Sequence, residues 1–203
     1  KRLNKLVEHE YLTGIVNDLN VDILAYKDAI KSDSILLNSI HSILKSYTSN
    51  LTINKDSILK ISKPIWYIYS VDVQTNTYEE MKASGNVIII NSKELRTKVN
   101  NYYKYLNEII DVEKTNNDVT LNNTFDFILK NTDYNSIVQI IDLPLKIPEV
   151  SAFEGSMFNK NSPKAKTFQN ILSLRSLLSQ SNINRYRQGL QRAFQLKETI
   201  ENL

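Results

Sequence analysis

The chain contains no cysteine. That absence removes disulfides, thiol nucleophiles and cysteine metal sites together, and it fits either redox compartment. Glycine and proline are scarce, four of each in 203 residues, and so few breakers favour long helices over a many-stranded sheet. No apolar run approaches the roughly 18 to 20 residues that cross a bilayer. No leader segment is legible either, since the chain opens directly in helical sequence. Histidine occurs twice, at His9 and His41. On one predicted helix these two stand roughly 48 Å apart, too far to share a metal or a triad. His9-Glu10 lacks the second histidine of H-E-x-x-H, and the chain has no glycine-rich phosphate loop and no G-x-S-x-G. No catalytic, cofactor-binding or metal-ligating residue is therefore expected, and no enzymatic activity.

What is present describes an ordinary folded chain. Hydrophobic residues make up 41% and charged residues 23%, which argues against disorder and suits a single domain over 1–203 with a real core. The net charge of +3 is uneven: from Lys160 onward eight Lys and Arg face two acids, +6, while the other 17 basic and 20 acidic residues give −3. A nucleic-acid reading of this basic segment is open, but packing against acidic neighbours or anionic lipid is preferred, so nucleic acid is not expected as a partner.

Periodicity gives the fold class. Leu12, Val16, Leu19, Ile23, Tyr26, Ile30, Leu37, Ile40, Leu44 and Tyr47 follow a 4-3 rhythm broken only at Asp33. Such a seam predicts a long coiled-coil-like helix. Leu95, Val99, Tyr102, Leu106 and Ile109 or Ile110 repeat the rhythm on a second helix, expected from about Ser92 to Asn131 with bends at the Asn pairs 116–117 and 122–123. Ser162-Pro163 reads as an N-cap with proline at the first helical position, opening a last helix with a jog at 179–184. The expected fold is all-α: an elongated antiparallel helical bundle or hairpin with little or no β. In it the first helix runs antiparallel to the second, and the last returns alongside. Residues 142–163, proline-bearing yet apolar, read as a long loop packed down on the bundle.

Two stretches carry candidate functional residues. In the unit 77–103, Thr77 with Glu80 reads as a capping box, and Glu79 places further negative charge at the helix start. Gly85 reads as a left-handed stop. Tyr102-Tyr103, with Arg96 upstream, form either a cation–π or ligand-contacting patch or, as preferred, a packed pair. Residues 65–73 would score as a strand in isolation. With residues 87–90 as the one candidate partner, they are expected instead to form a buried irregular or helical segment. Their Trp66, Tyr67 and Tyr69 either line a binding groove or cap a core.

The pattern Y-E-E-M-K-A-S-G-N at 78–86, then an apolar connector, K-E-L-R and a closing Y-Y, resembles a bacterial family of unknown function. The opening helix adds Glu8, Tyr11, Leu12, Ile15, Asp18, Leu19, Asp22 and Ile23 to the likeness. Members have one N-terminal transmembrane helix followed by a soluble helical domain. The resemblance implies an anchor outside this chain, at the bacterial cytoplasmic membrane, with the soluble domain on the extracytoplasmic side. It supplies no catalytic residues, and its candidate motif residues are Tyr78, Glu79, Glu80, Gly85, Arg96, Tyr102 and Tyr103. The functional expectation is a membrane-tethered interaction or scaffold domain whose partner is a protein, itself or another. The alternative is a sensor-type bundle binding a small ligand at the 65–73 aromatics.

Overall fold

A computed structural model describes residues 2–49, 61–131 and 161–203. The fold is all-α, and among the described residues there is no strand. Among the described residues four helices succeed one another: α1 (Arg2–Thr48), the short α2 (Asn76–Ala83), α3 (Lys93–Asn131) and α4 (Pro163–Glu201). Two 3-10 turns, η1 (Lys63–Trp66) and η2 (Asn86–Ile89), punctuate the long connection between α1 and α3. The last two helices start where serine can cap them. Leu95 N–H donates to Ser92 Oγ at 3.2 Å and Ala165 N–H to Ser162 Oγ at 3.0 Å, each satisfying an otherwise orphaned first-turn donor. Both helices run without a break through the positions where bends and a jog were expected. At one of the expected bends Asn123 Nδ2 donates to the Val119 carbonyl of its own helix at 2.7 Å. Of the loop expected at 142–163, residues 142–160 lie outside the described residues, and Pro163 already opens α4.

The chain divides into two compact units. The first comprises residues 1–31, 70–113 and 182–203. Its core joins Leu12, Ile15, Leu19, Ile23 and Tyr26 of α1 to Leu95, Val99, Tyr102, Tyr103, Leu106 and Ile109 of α3, and to Tyr186, Ala193, Leu196 and Ile200 of α4. Ile15 joins the seam residues inside because α1 packs on more than one helix, which widens its apolar stripe beyond a two-stranded seam.

Helix directions correct one expectation. Glu8 reaches Asn91 and Asp22 reaches Tyr102, so α1 and α3 run in the same direction, not antiparallel. The antiparallel member is α4: Tyr105 meets Gln188, and Glu113, further along α3, meets Tyr186, earlier on α4. A short loop would have forced α1 and α3 antiparallel. The connection through 49–92 is long enough to bring the chain back to the starting end.

The second unit comprises residues 32–69 and 114–181. Its core is Leu36, Ile40, Ile43, Tyr47, Ile65, Phe127, Ala165, Phe168 and Leu172, with the Phe127 and Phe168 rings stacked at 5.6 Å. The acid that breaks the heptad seam has its reason here. Asp33 is buried, and its charge acts on the equally buried Arg175 of α4. Burial pulls that guanidinium down to about 10, and Asp33 works against the pull.

A carboxylate ladder as the candidate functional site

One face of α1 in the first unit carries Glu8, Tyr11, Asp18 and Asp22, spaced by three, seven and four residues. Each meets a successive point on the chain between Gln74 and Asn91, which runs against the direction of α1. Asn91 donates its N–H to Glu8 Oε1 at 2.7 Å and its side-chain amide to Oε2 at 2.5 Å. The Tyr11 hydroxyl lies 3.2 Å from Ser84 Oγ and accepts from Asn86 Nδ2 at 3.1 Å. Thr77 N–H donates to Asp18 Oδ2 at 3.3 Å, and Gln74 N–H to Asp22 Oδ1 at 2.6 Å. Gly14 sits within this face because a Cβ there would stand 2.7 Å from the Thr77 methyl. The two stretches that stood out separately in the sequence are thus two halves of one docking surface.

This ladder replaces the expected capping box. Helix α2 begins two residues early, at Asn76, and its N-cap Thr75 makes no side-chain cap bond. The donors of this turn are met from α1 by Asp18 and Asp22, whose negative charge also suits the positive end of the helix. Glu79 is left to pair with Lys82 at 3.2 Å on the surface, and Glu80 is exposed. Gly85 does what its position predicts: it adopts φ 70°, ψ 13°, and its N–H donates to the Lys82 carbonyl at 3.0 Å.

Residues 67–75 are irregular, not a strand, and side chains satisfy their backbone. In the first unit Glu113 of α3 accepts the Val71 N–H at 2.9 Å through Oε1 and 3.2 Å through Oε2. In the second unit Arg175 donates to the Tyr67 carbonyl, and Asn117 Nδ2 to that of Tyr69 at 3.4 Å. A sheet neighbour would supply the same bonds in series; here ionic and amide side chains supply them one at a time.

The ladder leads into a polar centre inside the first unit. Asp22 is fully buried (0% exposed) and accepts the Tyr102 hydroxyl at 2.5 Å. The Tyr26 hydroxyl is buried beside that of Tyr102 without completing a bond of good geometry. Tyr26 packs on Tyr186, ring centroids 6.4 Å apart, and the Tyr186 hydroxyl donates to Glu113 Oε1 at 2.5 Å. Burial pushes the Asp22 carboxyl up to about 6, against the pull of its two hydrogen bonds and with help from the charges of Asp18 and Asp72. Burial likewise raises Glu113, opposed by its bonds from Tyr186 and Val71. Tyr102, Tyr26 and Tyr103 are raised for the same reason, so all three stay phenolic at neutral pH.

The sequence-predicted residues divide accordingly. Tyr102 and Tyr103 are both buried, the packed alternative. Tyr103 is stacked on Tyr78 at 4.2 Å and edge-on to Tyr102 at 5.2 Å. Tyr78 donates to Asn100 Oδ1 at 2.8 Å and lies under the Lys82 ammonium, 5.4 Å away. Arg96 turns back to the carbonyls of Ile90 and Asn91, closing the connector before α3. Tyr67 is half-buried and Tyr69 exposed, their rings 6.1 Å apart, while the Trp66 side chain lies outside the described residues. Sequence reasoning missed Asp22, Glu113 and Tyr186 as a group. The one available signal was an acid at a core-facing position, and only Asp33 was read that way. Among the described residues no three acids or histidines gather into a metal-binding set.

Two expectations are corrected. The described residues contain no helix long and apolar enough to cross a membrane, so placement at the bacterial cytoplasmic membrane has no support. The resemblance to a bacterial membrane-anchored family fails as well: no family model, no curated protein and no solved structure matches this chain.

Proposed function

We propose that this chain is a non-catalytic helical interaction or scaffold domain whose partner is a protein, a further copy of itself in the form tested here. One observation carries the reading: the two acids at the buried centre of the first unit are spent on the chain's own backbone and tyrosines. Asp22 and Glu113 each accept one tyrosine hydroxyl and one backbone N–H, and both are buried. Large apolar side chains stand out on the helices instead. In the first unit Leu24 of α1 is 62% exposed and Phe194 of α4 46%, the kind of side chain that protein interfaces draw on. The basic balance of α4 does not amount to a phosphate-binding stripe, because Arg175 is buried and Lys197 is paired with Glu201.

Sedimentation equilibrium over a wide concentration range tests this. The expected result is reversible self-association that Leu24→Asp weakens, with its helical circular dichroism unchanged. A monomer at every concentration, indifferent to Leu24→Asp, overturns the self-association form.

A further inference from the structure

The first unit holds a cleft of about 440 Å³ between α3 and α4, within the range of small-molecule sites. Lys98, Asn101 and Tyr102 line it from α3, and Arg192, Leu196 and Thr199 from α4. We propose that this cleft binds a small monocarboxylate, an anionic head on a compact apolar body, at Arg192. The proposal is independent of self-association, and no residue of the 65–73 segment lines the cleft.

The guanidinium of Arg192 carries the argument. It lies 4.2 Å from the centre of the Tyr105 ring, which holds its plane in place while leaving its edge donors free. It has no carboxylate partner among the described residues, whereas Lys98 is paired with Glu94 at 3.0 Å and Lys197 with Glu201 at 3.6 Å. A planar, oriented and uncompensated guanidinium is the group that grips a carboxylate through two parallel hydrogen bonds. Lys98 adds a second positive charge from the facing helix, and Asn101 and Thr199 add neutral hydrogen-bonding groups. The floor is apolar, since Tyr102 and Leu196 are both buried, and it suits a ring or branched aliphatic body. Glu198 also lines the cleft. Its negative charge opposes excess anionic charge in the cleft, which favours a monoanion over a dianion such as phosphate.

Nuclear magnetic resonance titration of the chain with sodium benzoate, benzamide and inorganic phosphate at constant ionic strength tests the assignment. Benzoate is expected to give saturable shifts confined to the backbone amides of 98–102 and 192–199, benzamide none, and phosphate binding at least about tenfold weaker than benzoate. Arg192→Ala should weaken benzoate about tenfold or more, and Arg192→Lys by a smaller factor because the fork is lost. Arg192 is exposed, so its replacement leaves the core intact, and Lys98→Gln supplies a second variant with a weaker effect. Equal shifts with benzoate and benzamide, equal affinity for phosphate, shifts centred elsewhere, or an Arg192→Ala titration identical to the parent would each overturn the proposal.

Discussion

At the scale of single residues, glycine and aspartate explain most of what is unusual. Gly85 is left-handed, and a Cβ there meets no atom within 4 Å. Gly85→Val therefore carries backbone strain alone and should lose about 1–2 kcal/mol in urea denaturation. Gly189 is constrained by its neighbours: a Cβ would stand 2.7 Å from Tyr26 Cζ and 3.0 Å from Ile109 Cδ1, both in a rigid core. Gly189→Ala should destabilise by about 1–3 kcal/mol through overpacking, even though alanine is the better helix former. Gly85 was legible in the sequence because a glycine after a short capped helix has a local reason. Gly189 was not, because its reason is a tyrosine on another helix. Asp22 shows the same limit. Its sequence neighbours mark it as one polar residue on a helix, and only the fold puts Tyr102 and the Gln74 N–H against it. Asp22→Ala would leave both donors buried without an acceptor and should cost about 1–3 kcal/mol for each.

At the scale of elements, periodicity identified α1 and α3, and Ser162-Pro163 marked the start of α4. The pattern says that a helix face is buried, but it carries no sign for direction. That is why the parallel course of α1 and α3 had to come from Glu8–Asn91 and Asp22–Tyr102. Residues 65–73 were readable as a strand in isolation, yet nothing local shows that Glu113, some forty positions on, would take the Val71 N–H. Hydrogen exchange tests this anchoring. The Val71 and Gln74 amides should exchange more slowly than that of exposed Asp72. Glu113→Ala should release Val71 while Gln74, held by Asp22, keeps its protection. Equal exchange across 71–74 in the parent chain would contradict side-chain anchoring of this segment.

At the scale of the whole molecule, the buried acids Asp22 and Glu113 hold the chain's own backbone, and this commitment has a pH signature. Asp22 is raised from 3.8 to about 6 by burial, and Glu113 is raised above 4.5 for the same reason. A carboxyl whose folded value lies above its unfolded value contributes stability that is complete below the unfolded value and is lost as pH rises through the folded one. Acidification from pH 7 toward 5 should therefore stabilise this protein. The most direct measurement is the free energy of urea unfolding at pH 7.5, 6.5, 5.5 and 5.0 for the parent chain and for Asp22→Asn, which keeps an acceptor for the Gln74 N–H while removing the titrating group. The account predicts that the parent gains stability as pH falls over this window and that Asp22→Asn flattens much of the gain. A parent chain that loses stability on acidification, or a variant with an unchanged slope, would contradict the buried carboxylate ladder.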